Sequence, residues 1–254
     1  MRRLGQHFLS DPGILGRIVD ALDCVPGETV IEIGPGQGTL TEVLLARGLH
    51  VIAIEKDRHL AAALGVGRPA WSVDRVQVVD GDALQLDWHA LLGARRTPVK
   101  VVGNIPYYIT TPLIDKALQP PLPERVVFLV QAEVADRLAA SPGSKIYGAL
   151  SVGVQSVCRV ERLFTVAPGS FRPPPKVRSA VVRLTPLRAP LVTSEEIVPF
   201  RRFVTACFSK RRKQLKNAVP GMDEAQLRAL GLDPMVRSER LPPETFVRLF
   251  RERG

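Results

Sequence analysis

Residues 30 to 40 read Val30-Ile31-Glu32-Ile33-Gly34-Pro35-Gly36-Gln37-Gly38-Thr39-Leu40, and this stretch decides the fold class. An apolar run of strand length enters a glycine-rich turn, and a helical apolar pattern follows. Strand, glycine turn and helix in this order form the nucleotide-binding corner of open α/β sheets. The spacing argues against a dinucleotide, because a GxGxxG fingerprint that begins at Gly34 needs glycine where Thr39 stands.

Further apolar runs of strand length recur along the chain. They are uniformly apolar rather than alternating, as expected for parallel strands covered on both faces. Segments with helical spacing lie between them, and Asp11-Pro12 is typical of a helix start before the first strand. The predicted strands are Val30 to Ile33, Val51 to Ile54, Val76 to Val79, Val99 to Val102 and Val126 to Val130. This alternation predicts an α/β fold with a doubly wound, mostly parallel sheet and helices on both faces.

The last part of the chain has a different pattern. Val177 to Leu184 predicts another strand, Pro186 to Pro190 has the composition of a linker, and helical spacing dominates from Ser194 onward. Residues 188 to 254 carry 14 Lys and Arg against 8 Asp and Glu, so positive charge is densest there. We therefore predict an α/β domain over residues 1–187 and a small, basic, all-α domain over residues 188–254.

Composition restricts the class of partner. The 254 residues are 45% hydrophobic and 24% charged, as in ordinary globular proteins, and contain no apolar run long enough for a signal peptide or membrane span. We expect a cytoplasmic protein without a membrane partner. The three cysteines are far apart and form no metal-binding pattern, so no metal is predicted. A formal net charge of +10 makes nucleic acid the first partner to consider.

The glycine turn has the pattern E-x-G-x-G-x-G, which resembles the motif of class I S-adenosylmethionine methyltransferases. Glu55 closes the next strand, where a carboxylate can accept both ribose hydroxyls. NAD enzymes share that feature. Asp82 follows the third strand, where class I methyltransferases contact the adenine amine. Taken alone, Asp82 is better explained as a turn aspartate that caps a helix; combined with the other residues it favours a cofactor contact.

Asn104-Ile105-Pro106-Tyr107 follows the fourth strand and fits the N/D-P-P-Y/F motif of methyltransferases that act on amines of adenine or cytosine. An adenine amine is a poor nucleophile, because its lone pair is delocalised into the ring. Two acceptors aimed at its N–H groups stabilise the rehybridised nitrogen more than the flat one. The Asn104 side-chain carbonyl and the Ile105 main-chain carbonyl can supply these acceptors, since Pro106 stiffens the turn. Tyr107 can stack on a base taken out of its helix.

The whole chain resembles the KsgA family of ribosomal RNA adenine dimethyltransferases. The matching segments follow the family's order along the sequence. They are Gly5-Gln6-His7-Phe8-Leu9, the segment from Asn104 to Pro112, Gln131 to Leu138, Lys145 to Gly148, and Phe171 to Val181. The resemblance implies a class I, Rossmann-like methyltransferase domain that binds S-adenosylmethionine, followed by a helical domain that contacts RNA.

The resemblance also implies roles for individual residues. The cofactor would be bound by His7, Leu9, Gly34, Gly36, Glu55, Asp82 and Asn104. The catalytic set would be Asn104, Ile105, Pro106, Tyr107 and Phe171, with Phe171 as an exposed platform opposite Tyr107. The expected reaction is dimethylation of the N6 amine of two adjacent adenines in 16S-type RNA of the small ribosomal subunit or its precursor, by a monomer.

Three positions depart from the family pattern, and a basic run near the C-terminus matches it. The family often has asparagine at His7, commonly has lysine at Ala132, and commonly has an acidic residue at Arg178. The run Lys210-Arg211-Arg212-Lys213 resembles the family's C-terminal segment, with Leu215 nearby to dock it. A charge run is usually a solvated helix face, but its placement favours contact with RNA phosphates.

Three other functions remain open from sequence. An Erm-type enzyme would use the same chemistry on an adenine of large-subunit ribosomal RNA, although the C-terminal pattern favours the KsgA family. A ribosome assembly factor could keep the fold and act mainly by binding, although an intact Asn104 and Tyr107 argue against binding alone. An NAD oxidoreductase is disfavoured by the glycine spacing.

Overall fold

The computed structural model describes residues 7–65, 71–72, 74–92, 99–209 and 213–253. Its strands are β1 (Phe8–Leu9), β2 (Thr29–Ile33), β3 (His50–Glu55), β4 (Val76–Asp80), β5 (Lys100–Asn104), β6 (Arg125–Gln131), β7 (Cys158–Val166), β8 (Phe171–Arg172) and β9 (Ser179–Pro186). Its α-helices are α1 (Pro12–Leu22), α2 (Thr39–Ala46), α3 (Arg58–Gly65), α4 (Thr110–Ala117), α5 (Ala132–Leu138), α6 (Ala149–Gln155), α7 (Ile197–Ser209), α8 (Leu215–Ala218), α9 (Glu224–Ala229) and α10 (Pro243–Glu252).

The main sheet has seven strands in the order β4-β3-β2-β5-β6-β9-β7. The five strands from β4 to β6 are parallel, and β9 lies antiparallel to β6. A second, two-stranded sheet pairs β1 with β8. The predicted mostly parallel sheet is therefore confirmed, and its strand order reverses between β2 and β5, where such sheets bind ligands.

Both faces of the central strands are buried. Val30, Val51 and Val102 pack in one cluster with side chains of α1 and α2. Ile31 and Ile52 alternate with them and point to the other face, and they too are fully buried. Burial on both sides explains why these strands are uniformly apolar in sequence, and it confirms the prediction of helices on both faces.

The chain divides into two compact units. The first consists of Met1–Ala117, Pro121–Ala135 and Glu161–Thr185; the second consists of Leu118–Pro120, Asp136–Val160 and Pro186–Gly254. In the second unit, α6 and α10 pack on α7, and Phe200, Phe203 and Phe246 are buried. Residues 136–160 thus group with the C-terminal helices, whereas the sequence assigned them to the first domain. The boundary predicted at residue 187 stays a prediction.

Three strands escaped the sequence analysis. β1 and β8 are too short for a pattern of their own, and their pairing links residues 8–9 to residues 171–172 across the chain. β7 has nine residues, with Cys158, Val160, Phe164 and Val166 on one side. The exposed Arg162 lies on that side too and interrupts the apolar alternation that would have marked the strand. Among the described residues, no helix is both long and apolar enough to span a membrane.

The N-cap of α1 offers a test of the fold. The Asp11 side chain accepts hydrogen bonds from the amides of Gly13 and Ile14, at 3.0 and 3.1 Å. Replacing Asp11→Ala should lower the free energy of unfolding by about 1 kcal/mol, because two amides lose their acceptor. Asp11→Ser should keep most of that energy, since serine also caps. Urea unfolding followed by circular dichroism measures both; equal losses in the two variants would contradict the capping role.

Candidate active site

A cleft of about 480 Å³ opens at the carboxyl ends of β2, β3 and β5. The residues that line it are His7, Phe8, Gly34, Gly36, Glu55, Asn104, Ile105, Pro106 and Tyr107. A neighbouring cavity of about 350 Å³ shares Phe8, Gly34 and Asn104 and is also lined by Leu9 and Glu32. The structure thus brings most of the residues predicted from sequence to one place.

The glycine turn is shaped by backbone conformations that favour glycine. Gly34 and Gly36 have φ angles of +67° and +58°, in the region that side chains disfavour. A Cβ on Gly36 would also lie 2.8 Å from the Phe8 ring. The Thr39 hydroxyl donates a 2.9 Å hydrogen bond to the Leu9 carbonyl. The segment around Phe8 therefore lies directly over the turn, and this needs glycine there.

Glu55 connects the end of β3 to this turn. Its carboxylate accepts hydrogen bonds from the amides of Gly36 at 3.0 Å and Asp57 at 2.9 Å. Burial raises the pKa of Glu55, and these backbone hydrogen bonds lower it in part. The two bonds fix the carboxylate at the wall of the cleft, where its remaining lone pairs can accept ligand hydroxyls.

Glu32 is a second carboxyl group beside the cleft, and the sequence analysis did not assign it a role. It is 1% exposed and accepts a 2.6 Å hydrogen bond from the Thr41 hydroxyl. Burial raises the pKa of Glu32 to about 7, and the charge of Glu55 acts in the same direction. The signal in sequence was an acidic residue inside an otherwise apolar strand.

Asp82 follows β4 and is held by two partners. It accepts a hydrogen bond from the Leu84 amide at 3.0 Å and pairs with the Lys56 ammonium at 2.7 Å. Burial alone would raise the pKa of Asp82, but Lys56 and the Leu84 amide bring it below its usual value. Asp82 thus does stabilise a turn, and it lines neither of the two cavities described above. A cofactor contact by Asp82 stays a proposal.

Asn104 ends β5 at the floor of the cleft. Its side-chain amide donates a 2.7 Å hydrogen bond to the His7 main-chain carbonyl. Because the nitrogen is used in this bond, the side-chain oxygen is turned away from His7. The His7 ring bonds through Nδ1 to the Pro173 carbonyl at 2.8 Å, so His7 is itself fixed. The departure from asparagine at this position therefore leaves the main-chain contact in place.

Tyr107 begins the turn after Pro106 and is tethered. Its hydroxyl lies 2.7 Å from the Ser179 hydroxyl, and its ring is 6.0 Å from the His7 ring with a 30° tilt. Burial raises the pKa of Tyr107 despite the Ser179 hydrogen bond, so the phenol stays neutral at physiological pH. Tyr107 is partly buried, whereas the adjacent Tyr108 is 59% exposed.

Phe171 is buried, contrary to the prediction from sequence. The sequence predicted an exposed platform, but Phe171 is 1% exposed. It pairs with Leu9 across the small sheet and packs in the apolar cluster that includes Leu15 and Val181. The adjacent Arg172 and prolines suggested exposure, and they are themselves exposed apart from Pro175, but the Phe171 ring packs inward. Any stacking role for Phe171 requires the ring to leave this cluster.

The predicted RNA-binding run falls largely outside the described residues. Lys210, Arg211 and Arg212 are not among them, while Lys213 is described and exposed. α7 ends at Ser209 and α8 begins at Leu215, with a bend at Lys213. Lys213 is therefore not part of a helix, contrary to the expectation of a docked helix face.

Gly103 is a further residue whose role the sequence analysis missed. A Cβ at this position would lie 2.6 Å from the Ile33 carbonyl oxygen, so only glycine allows β5 to approach β2 this closely. Ser179, which binds the Tyr107 hydroxyl, was also missed. A glycine inside a strand often marks a close backbone approach, and that signal was available.

Comparison with known proteins identifies the family of the chain. A family model described as ribosomal RNA adenine dimethylase matches residues 1–253. Ribosomal RNA small subunit methyltransferase A from Aromatoleum aromaticum is 46% identical over 248 residues, covering 97% of this chain and 91% of the relative. The protein of the same name from Xanthomonas campestris pv. campestris is 44% identical over 250 residues, covering 98% and 94%.

Two solved structures are similar along nearly the full chain. A dimethyladenosine transferase from Plasmodium falciparum has a TM-score of 0.79 and 28% identity, covering 98% of both chains. The 23S rRNA methyltransferase ErmE has a TM-score of 0.71 and 28% identity, covering 97% of this chain and 98% of its own.

Glu32 predicts a pH dependence of stability. The pKa of Glu32 is about 7 in the folded protein and 4.5 in its ordinary state. Between these two pH values, Glu32 therefore keeps its proton in the folded protein and has lost it in the unfolded chain. Its contribution to the free energy of unfolding should therefore fall, by roughly 3 kcal/mol, as pH rises from 4.5 to 7. Glu32→Gln keeps an acceptor for Thr41 and cannot ionise, so it should remove that fall.

The measurement is the difference in unfolding free energy between wild type and Glu32→Gln across this pH range. Taking the difference cancels the other titrating groups. Parallel curves from pH 4.5 to 7 would show that Glu32 is not protonated in the fold.

Proposed function

The chain belongs to the ribosomal RNA adenine dimethylase family, and on that premise we propose that it transfers two methyl groups from S-adenosylmethionine to the N6 amine of adenines in small-subunit ribosomal RNA. Relatives at 46% and 44% identity are named as small-subunit methyltransferases, which supports this substrate. Adjacent adenines in 16S-type RNA and a cytoplasmic role in ribosome biogenesis are part of the same proposal.

The residues that line the cleft suit S-adenosylmethionine in their donors and acceptors. Gly34 and Gly36 provide backbone at close range, and the fixed Glu55 carboxylate can accept the two ribose hydroxyls. When bound, the cofactor supplies a methyl group activated by a sulfonium centre. His7 and Leu9, in the N-terminal segment, would cover the cofactor. Asp82 would accept a hydrogen bond from the adenine amine of the cofactor through a carboxylate oxygen that Lys56 does not occupy.

The single observation that carries the proposal is the orientation of Asn104. Because its nitrogen donates to the His7 carbonyl, its oxygen is available to accept from a target amine in the cleft. The Ile105 carbonyl would accept the second N–H. Two acceptors favour the tetrahedral amine nitrogen that attacks the methyl group, and they are fixed before the base arrives.

Tyr107 completes the site for the base. The Ser179 hydroxyl and the neighbouring His7 ring hold its ring at the mouth of the cleft. A flipped adenine can stack on this fixed ring, so little conformational freedom is lost on binding. The cationic amine formed by each transfer loses its proton readily, so no general base is needed. A monomethylated amine still has one N–H for these acceptors, which permits a second transfer.

Two alternative functions remain, one with a different RNA substrate and one without catalysis. Similarity to ErmE, which is named for 23S rRNA, is the reason to consider a large-subunit substrate. ErmE is 28% identical to this chain, whereas the small-subunit relative is 46% identical. The preorganised Asn104 and Tyr107 argue against an assembly factor that acts mainly by binding. Binding alone gives no reason to hold an acceptor at the floor of a cofactor cleft.

The substrate is tested by transfer of labelled methyl groups to purified small and large ribosomal subunits that lack adenine dimethylation. We expect label in the small-subunit RNA, with N6-dimethyladenosine at neighbouring positions by mass spectrometry. Label confined to the large subunit would reassign the protein to the Erm-type reaction. Monomethyladenosine as the sole product would contradict the two-transfer mechanism, and no label with cofactor bound would favour the assembly factor.

The role of Asn104 is tested by Asn104→Ala. We expect kcat to fall roughly 100-fold or more, by analogy with the loss of one preorganised transition-state hydrogen bond. Cofactor affinity, measured by calorimetry, should change less than about threefold, since Glu55 and the glycine turn carry most of the binding. Thr111→Ala is the matched control, being an exposed change in the adjacent α4. A large loss of cofactor affinity in Asn104→Ala would show that Asn104 mainly binds cofactor.

A further inference from the structure

The loop of residues 173–178, here called the proline loop, lies at the same edge of the sheet as the cleft. β9 runs antiparallel to β6, so its first residue, Ser179, pairs with Gln131 at the carboxyl end of β6. The Ala132 amide extends the ladder with a 3.0 Å hydrogen bond to the Arg178 carbonyl. β5, which ends in Asn104, is the next strand along.

Both ends of the proline loop are tied to residues that line the cleft. At its start, Arg172 pairs with Phe8 in the small sheet and Pro173 accepts the hydrogen bond from the His7 ring. At its end, Ser179 binds the Tyr107 hydroxyl. Three consecutive prolines restrict the backbone between these ties. The loop therefore presents its side chains at a defined place beside the mouth of the cleft.

The proline loop belongs to a segment without acids. No Asp or Glu occurs between Glu161 and Glu195, while six Lys and Arg do. Arg172, Lys176 and Arg178 are exposed; these three residues are called the basic rim. Arg183 also lies in this segment, but Glu161 holds it in a bidentate pair at 2.9 and 3.0 Å.

The basic rim is not neutralised by the residues around it. Lys176 and Arg178 make no ion pair with any residue that the structure describes. The Arg172 guanidinium donates to the carbonyls of Gly169 and Phe171 at 3.0 Å, which positions it without cancelling its charge. Glu133 is the nearest acid along the chain at this edge, and no bond joins it to Arg178.

Ala132, directly after β6, and Arg178, directly before β9, are neighbours, because the Ala132 amide donates a hydrogen bond to the Arg178 carbonyl. The residue beside Arg178 at the end of β6 is therefore neutral. Its side chain cannot compensate the positive charge of Arg178 at this edge of the sheet.

We propose that Arg172, Lys176 and Arg178 bind RNA phosphates that flank the target adenine and thereby hold the strand over the cleft. This inference rests on the proposed function, because it takes the substrate to be RNA. A flipped base leaves its own backbone at the rim of the pocket, where fixed cations can bind phosphates on either side. Arginine suits this task because its guanidinium binds phosphate through two N–H groups.

The test compares two double variants that each remove two positive charges. Lys176→Gln with Arg178→Gln changes the basic rim; Arg17→Gln with Arg47→Gln changes an exposed residue of α1 and the exposed C-cap residue of α2. Binding to purified small subunits that lack adenine dimethylation is measured against KCl concentration. The rim variant should lower the slope of log affinity against log salt by about 1.4 to 1.8, as expected for two lost phosphate contacts. The control should keep the wild-type slope.

Kinetics separate the basic rim from the chemistry. KM for the small subunit should rise roughly tenfold in the rim variant, while kcat and cofactor affinity stay within about twofold, because the rim acts on strand binding before transfer. Arg178→Asp should weaken binding further, and adding Ala132→Lys should restore part of it, since the new ammonium lies beside position 178.

Each outcome bears on the proposal. An unchanged salt slope in the rim variant, or an equal loss in the control, would overturn it while leaving methyl transfer by the wild type intact. Weaker binding to whole subunits but not to naked small-subunit RNA would assign the rim to a ribosomal protein, and also overturn it. Failure of wild type to methylate any RNA would instead refute the proposed function, and the salt slopes would still report on the rim.

Discussion

The close approach of β2 and β5 at Gly103 sets the geometry of the whole site. A side chain there would strike the Ile33 carbonyl at 2.6 Å. Because position 103 has no side chain, the two strands lie in register, with Ile33 paired to Gly103, and end next to each other. The glycine turn and the turn from Asn104 to Tyr107 leave the sheet from these adjacent ends, although Gly34 and Asn104 are 70 residues apart in sequence. A register shift of one residue would turn Asn104 to the other side of the sheet.

The N-terminal segment joins the parts that the sheet brings together. The Leu9 carbonyl holds Thr39 of the glycine turn, and the His7 carbonyl holds Asn104. These bonds come from main-chain atoms, so they tolerate different side chains at position 7. Pairing of Phe8–Leu9 with Phe171–Arg172 also buries the Phe171 ring. Exposing that ring would cost about 2 kcal/mol or more, which is why our proposal assigns base stacking to Tyr107, a residue that already lines the cleft.

The sequence predicted the features that repeat over many residues or follow a strict spacing. Uniformly apolar runs gave the parallel strands, and the spacing of Gly34, Gly36 and Gly38 located the cleft. Contacts between distant segments were not accessible in this way. The burial of Phe171 depends on pairing with Leu9, 162 residues earlier, and the grouping of residues 136–160 with the C-terminal helices depends on tertiary contacts. Local composition around Phe171 indicated exposure, and tertiary packing overrode it.

Charge is distributed unequally along the edge of the sheet that carries the site. Glu32, Glu55 and Asp82 lie on or after β2, β3 and β4, on the side proposed for the cofactor. Burial raises the pKa values of Glu32 and Glu55, and Asp82 is paired with Lys56, so these three acids present less negative charge to an approaching polyanion than three free carboxylates would. The basic rim lies on the other side, before β9. In our proposal, an RNA strand attracted to the rim would present a flipped base to Tyr107 and Asn104.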